Sequence, residues 1–111
     1  MANVPFTPAE QRDYERFASL CAQQAMNGRE RFVGATRIEC TFLFGIPKSR
    51  IRKLQDGDWH CQRPDTDNCV KSIWDAMNKI CFGDDCVIAQ MIASKYWTTG
   101  CPRTEVKISV L

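Results

Sequence analysis

The sequence lacks the residues and patterns on which several protein classes depend. It has one histidine, His60, and no C-x-x-C pair among seven cysteines, so the usual ligand spacing of a structural zinc site is absent. An odd number of cysteines without a secretion signal argues against a disulfide framework, and we expect reduced thiols that mostly serve packing. No apolar run approaches the roughly 18 residues that span a bilayer, and there is no signal-peptide hydrophobic region. We therefore expect a cytoplasmic protein with no membrane partner.

The signatures of two enzyme classes are also missing. A single histidine and the absence of a nucleophile elbow weaken a serine or cysteine hydrolase interpretation, and there is no glycine-rich phosphate loop. No internal repeat, low-complexity tract or linker divides the 111 residues, so residues 1–111 are expected to form one domain. The net charge of +2 is too small to indicate nucleic-acid binding by itself.

The hydrophobic pattern predicts an α+β fold, a single compact domain in which helices pack on a small mixed β-sheet. Thr7-Pro8-Ala9-Glu10 is typical of a helix start and Gly28 of a helix end, so residues 1–30 are expected to form a helical extension. Between residues 32 and 44, apolar and polar residues alternate as in a half-buried strand. The remaining expectations are a long loop over 48–64, a second helix to about Ile80, and strands over 86–97 and 103–111.

Two acidic segments carry most of the functional information. The first is Arg63-Pro64-Asp65-Thr66-Asp67-Asn68-Cys69-Val70-Lys71, and the second is Gly83-Asp84-Asp85. Like charges held close together repel one another, so such a cluster usually persists because a cation binds it. A hard divalent metal held by Asp oxygens is a common apparatus for phosphodiester cleavage, and Mg²⁺ suits it because Mg²⁺ takes one or two carboxylates plus substrate phosphate. These segments therefore indicate where function should be sought.

The second predicted helix carries a polar stripe. Pro64 keeps the preceding residue extended, and Thr66 or Asp67 is expected to cap the helix. Asp67, Lys71 and Asp75 are each four residues apart, so they share one face, and Lys71 could stabilise charge at phosphorus or protonate the leaving oxygen. The alternative is a capped helix with ordinary ion pairing along its surface. Spacing alone does not show whether Asp85 reaches the other acids.

Basic residues crowd the segment that leads into the acidic motif. Such a distribution suits a polyanion that lies across a metal site, although a solvated, flexible loop would explain it equally well. The residues concerned are Lys48, Arg50, Arg52, Lys53 and Arg63.

Several ordered motifs together resemble one family, the RusA Holliday junction resolvases, small endonucleases often carried by phages. The resemblance covers roughly residues 38–111 and leaves out the first helix. It rests on Pro64-Asp65-Thr66-Asp67-Asn68, Lys71, Asp75-Ala76, Asp84-Asp85 and Lys95, with support from Pro47-Lys48-Ser49 and Pro102-Arg103-Thr104-Glu105.

The resemblance implies a homodimer that binds four-way DNA junctions and nicks two strands symmetrically with Mg²⁺, Mn²⁺ being a possible substitute. If the chain is phage-encoded, it would act in the cytoplasm of a bacterial host. The alternatives are a nuclease for flaps or forks and a non-catalytic junction-binding module. One departure is visible, because Val87 stands where the family usually has glutamine. The implied roles are metal binding by Asp65, Asp67 and Asp85, catalysis by these and Lys71, support of the ligands by Asp75 and Asp84, and DNA contact by Lys95 and the basic residues 48–63.

Overall fold

The computed structural model describes the backbone of residues 2–5 and 11–111, and the side chains from Tyr14 onward. The predicted helix start at Thr7-Pro8-Ala9-Glu10 lies outside the described residues. The elements in chain order are strand β1 (Ala2–Pro5), helix α1 (Gln11–Ala25), strand β2 (Thr36–Gly45), a 3₁₀ turn (Lys48–Arg50), helix α2 (Thr66–Met77), a second 3₁₀ turn (Asp85–Val87), strand β3 (Ile88–Thr98) and strand β4 (Arg103–Val110).

The strands form one mixed sheet in the order β1-β4-β2-β3. β2 and β3 run parallel, whereas β4 is antiparallel to both of its neighbours. The predicted α+β domain is therefore confirmed. β1 was not predicted, and its backbone pairs with β4 from Ala2 to Pro5. A proline is tolerated there because β1 is the outer strand and needs no amide donor on its free side.

The core lies between the sheet and the two helices. Alternate residues of β2 point into it, as the sequence pattern predicts, and each has an exposed fraction of 6% or less. Helix α2 contributes Ile73 and Met77 to the same core, and α1 packs against α2. Burying each large apolar side chain is worth about 1.5–3 kcal/mol, so this layer stabilises the sheet face that carries the site. The buried residues of β2 are Thr36, Ile38, Cys40, Phe42 and Phe44.

The bounds of α2 differ from those predicted. Its N-cap is Asp65, with extended dihedral angles, so the expectation of a cap at Thr66 or Asp67 was wrong. The helix ends at Met77 rather than near Ile80, because the chain turns back at Lys79, whose φ of 70° lies in the left-handed region. The amide of Lys79 donates to the carbonyl of Phe82 and closes this turn.

The start of β3 also differs from the prediction of a strand over 86–97. The Asp84 carboxylate accepts the amide hydrogen of Cys86 and caps the 3₁₀ turn, so the strand begins only at Ile88. Ala89 is exposed rather than on the buried face. Further along, Lys95 and Trp97 point inward, as their pairing with the buried Phe42 and Phe44 requires.

The long loop over 48–64 is partly ordered against the edge of β3. The amide of Gly57 donates to the carbonyl of Trp97, and the amide of His60 donates to the carbonyl of Lys95. The Asp56 carboxylate accepts hydrogen bonds from Thr98 and Thr99. These contacts fix the end of the loop that enters the acidic motif.

Candidate active site

The amino end of α2 presents two exposed carboxylates. Asp65 is the N-cap, but its side chain makes no capping hydrogen bond. Asp67 lies in the first turn, and its Oδ1 accepts the amide hydrogen of Asn68 at 2.9 Å. The partial positive charge of a helix N-terminus is a favourable place for negatively charged side chains. The two acids are therefore held at one helix end with oxygens directed to solvent or a ligand.

Lys95 holds the segment that precedes α2. Its side chain is buried, with an exposed fraction of 8%, and its Nζ donates to the carbonyl oxygens of Gln62 and Pro64 at 2.6 Å each. These hydrogen bonds tie the entry to α2 onto β3. A lysine that was expected to contact DNA is thus in contact with the main chain of its own protein, and its contact with phosphate stays a prediction.

Asp85 reaches α2 through Trp74. The indole Nε1 of Trp74 donates to Asp85 Oδ2 at 2.7 Å. The third acid therefore lies against the same helix as Asp67, a juxtaposition that spacing alone did not decide. We call the open surface at this place the acidic depression; it is lined by Thr66, Asp67, Val70, Lys71, Trp74, Asp75 and Asp85.

Asp65 faces a neighbouring surface. We call this surface the lysine pocket, and Thr66 belongs to both surfaces. The carboxylates of Asp67 and Asp85 thus line one depression, while that of Asp65 lines the adjacent one. The lysine pocket is lined by His60, Cys61, Gln62, Arg63, Asp65, Thr66 and Lys95.

Lys71 makes no ion pair on its own helix. Within the side chains from Tyr14 onward, the ion pairs closer than 4.0 Å are Arg37–Glu39 and Arg103–Glu105. Neither Asp67 nor Asp75 pairs with Lys71, so the alternative of a surface ion-pair stripe is not what the structure shows. An exposed ammonium beside unpaired carboxylates is available to a substrate phosphate.

The carboxylate oxygens of the acidic depression are suitable ligands for a hard cation, but they do not form a closed metal site. In the described part of the chain, no group of three or more His, Cys, Asp or Glu side chains could hold an ion together. Asp67 and Asp75 are eight residues apart, or about 12 Å along the helix axis, so the depression is elongated. Mg²⁺ commonly binds one or two protein carboxylates and completes its shell with water and phosphate. The depression offers that kind of open site.

The predicted DNA-contacting side chains of the basic segment are mostly exposed. Arg50 is the exception, since its guanidinium lies 5.9 Å from the centre of the Trp97 ring and is half-buried. None of these residues takes part in an ion pair with another described side chain. The exposed ones are Lys48, Arg52, Lys53 and Arg63.

The family model for the endodeoxyribonuclease RusA matches residues 2–109. The chain belongs to the RusA endodeoxyribonuclease family. It is therefore an enzyme that hydrolyses phosphodiester bonds, a member of a family of Holliday junction resolvases that generally depend on a metal. The match includes β1 and α1, whereas the motifs recognised in the sequence begin only at residue 38. No protein among the curated proteins matches the chain. No helix in the described ranges is long and apolar enough to cross a membrane.

Asp84, expected to support the ligands of the RusA site, acts locally in the described structure. The hydrogen bond from the Cys86 amide lowers the pKa of its carboxyl, and the nearby Asp85 and Lys79 contribute less. The Asp84 carboxyl therefore stays ionised while it caps the 3₁₀ turn that contains Asp85. Asp75, the other expected supporting acid, is exposed in the acidic depression.

His60 lies in the RusA domain as a packing residue. It stacks on Phe44 with ring centres 4.1 Å apart and lies 4.3 Å from Trp97. Burial lowers the pKa of its imidazole, and the charge of Lys95 lowers it further. The neighbouring Cys61 is exposed, and no metal-binding group containing either residue occurs among the described side chains.

Trp74, which donates a hydrogen bond to one of the predicted site carboxylates, was not predicted as a neighbour of the site. The apolar stripe of α2 accounts for a large aromatic ring at position 74. The sequence spacing did not indicate that the indole N–H would have a hydrogen-bond acceptor eleven residues away. The only available signal was chemical, because an indole N–H in a half-buried position usually finds an acceptor.

Proposed function

We propose that this enzyme resolves four-way DNA junctions by paired, symmetric nicks in a Mg²⁺-dependent reaction. The observation that carries the proposal is the acidic depression, whose lining brings Asp67 and Lys71 of α2 together with Asp85 from the turn before β3. Family membership supports the junction as substrate. The Mg²⁺ requirement and the pairing of the nicks are the parts that experiment must decide.

We assign cation binding to Asp67 and Asp85; the third carboxylate expected from the sequence, Asp65, lies on the adjoining surface and does not line the depression. When bound, the metal would supply a water of lowered pKa and neutralise charge on the phosphate. Lys71 contacts a non-bridging or leaving oxygen and stabilises the charge that develops there. The open form of the depression supports this assignment, because a phosphodiester must occupy part of the metal's coordination shell.

The basic segment binds the DNA backbone in this proposal. Lys48, Arg52 and Lys53 are exposed in the segment that leads to α2, and Arg63 lines the lysine pocket together with Asp65. Phosphate contacts of this kind release counterions, so junction affinity should fall steeply as salt rises.

A homodimer follows from the geometry of the reaction. One site cuts one strand, so paired nicks need two sites related by a two-fold axis, which a symmetric dimer supplies.

The decisive experiment compares the wild type with Asp67→Asn on a synthetic four-way junction, with and without Mg²⁺. We expect paired nicks from the wild type only with metal, and a loss of cleavage of at least about 10²-fold in the variant, because a charged ligand is removed at the reacting centre. Junction binding should persist or tighten, since a negative charge is lost. Glu30→Gln, at an exposed position outside both surfaces, is the matched control.

Normal cleavage by Asp67→Asn would refute the metal-site assignment. A panel of junction, flap and fork substrates at one salt concentration tests the substrate. Equal cleavage of all three would replace the resolvase by a general branched-DNA nuclease.

A further inference from the structure

The hydrogen bond between Trp74 and Asp85 is the most specific contact in the acidic depression. An indole N–H can only donate, and a carboxylate can only accept when ionised, so the two groups are matched. The 2.7 Å separation is that of a charge-assisted hydrogen bond, which is stronger than a bond between neutral groups. Packing explains why α2 has a large apolar side chain at position 74, but it does not explain this bond.

The contact joins two elements that the chain brings together only in the folded state. Asp85 opens the 3₁₀ turn before β3, whereas Trp74 lies in the last turns of α2. The backbone of that turn is held by Asp84, whose carboxylate accepts the Cys86 amide hydrogen. The side chain of Asp85 is then oriented by Trp74, whose indole N–H engages Oδ2.

We propose that Trp74 is a positioning residue for divalent metal binding: its indole N–H orients Asp85 along α2 so that its second oxygen can share a cation with the acids of the helix. The inference rests on the proposed function, because it takes Asp85 to be a metal ligand. Groups that orient metal-binding carboxylates in this way typically change metal affinity by 10–100-fold when they are removed.

The direct test measures Mn²⁺ binding to the intact chain by calorimetry, without DNA. Trp74→Phe keeps an aromatic ring in the apolar stripe and removes only the donor. We expect Mn²⁺ affinity to fall by about 10-fold, the lower end of the range for such oriented ligands. Trp59→Phe is the control, because Trp59 is exposed, stacks on Tyr96 and does not line the depression.

A positioning role also predicts a specific kinetic pattern. The Mg²⁺ concentration for half-maximal junction cleavage should rise by a similar factor in Trp74→Phe, while cleavage at saturating Mg²⁺ should stay within a few-fold of wild type. A purely structural role would instead lower the saturated rate and the unfolding midpoint together. Unchanged or tighter Mn²⁺ binding by Trp74→Phe would overturn the inference.

One measurement on the wild type keeps the inference testable if Trp74→Phe does not fold. In a ¹⁵N-labelled sample, the indole N–H signal of Trp74 should shift on titration with Mg²⁺, while that of Trp59 should not. An unshifted Trp74 signal in a protein that binds the metal would refute the inference. Failure of the wild type to bind Mn²⁺, or full binding by Asp85→Asn, would instead refute the proposed metal site.

Discussion

Lys71 and Lys95 carry the same ammonium group close to the same helix, yet the fold uses them in opposite ways. Lys71 is exposed in the acidic depression and pairs with neither Asp67 nor Asp75. Lys95 is buried and donates to two main-chain carbonyls. A cation left unpaired among acids adds little stability and is available to a ligand, whereas a buried cation must have its hydrogens satisfied by the protein. The difference separates the chemistry of the site from the architecture that holds it.

The same contrast applies to the two surfaces around the entry to α2. The acidic depression presents carboxylates from α2 and from the turn before β3, and the Trp74–Asp85 hydrogen bond joins these two elements. In the lysine pocket, the inward side chains of His60 and Lys95 lock the entry segment onto β3. Substitutions of Asp67, Lys71 and Asp85 on the first surface should change activity, and those of His60 and Lys95 on the second should change stability.

The largest effect that tests this contrast is expected for Lys71→Met. Because this ammonium is assigned to charge stabilisation in the transition state, cleavage should fall by about 10²–10³-fold. The free energy of unfolding should stay within about 0.5 kcal/mol of wild type, since the side chain is exposed and unpaired. Single-turnover junction cleavage and urea unfolding measure the two quantities. Normal cleavage would remove Lys71 from the mechanism.

Lys95→Met should show the reverse pattern. The substitution keeps most of the side-chain volume but removes both hydrogen bonds to the segment before α2, so we expect a loss of roughly 1–3 kcal/mol in the free energy of unfolding. Lys107→Met, at an exposed position on β4, is the matched control for the same chemical change. If the two variants unfold at the same urea concentration, Lys95 does not hold this segment.

The smallest effect is a pH dependence carried by His60. Its folded-state pKa is lowered below the ordinary value of 6.5, first by burial and then by Lys95. The unfolded chain therefore binds the proton more readily, so this contribution to stability is complete above about pH 6.5 and is lost as the pH falls towards the folded-state pKa. Urea unfolding at about pH 7.5 and about pH 5.5 should show a smaller difference for His60→Phe than for the wild type. Equal differences would show that His60 titrates normally.

The parts of the fold that follow from local periodicity were predictable. The alternation in β2 and the apolar stripe of α2 were predicted because each repeats over several residues. The N-cap at Asp65 and the late start of β3 were mispredicted, because neither boundary follows from periodicity. The first is set by the extended backbone of Asp65, and the second by the hydrogen bond from the Cys86 amide to the Asp84 carboxylate. β1 could not be predicted from periodicity, because a strand of four residues is too short to show an alternating pattern.

The inward position of Lys95 could have been predicted from the two-residue period of β3. Met91, Ala93 and Trp97 lie an even number of residues away, so the strand period places Lys95 on their face. Its lysine identity suggested DNA contact instead. The lesson is that period should be weighed before residue type when a charged residue falls within a strand.

What the sequence determined by itself is the chemistry of the site and its arrangement on one helix. Asp67, Lys71 and Asp75 share a face because helical periodicity is a local property, and the ordered motifs identified the family. Only the tertiary structure decided that Asp85 meets α2 at Trp74 and that Lys95 donates to the carbonyls of Gln62 and Pro64. Both facts depend on how β3 pairs with β2 and on how the chain reverses after Met77. Contacts of that kind join residues distant in the chain, so no local pattern encodes them.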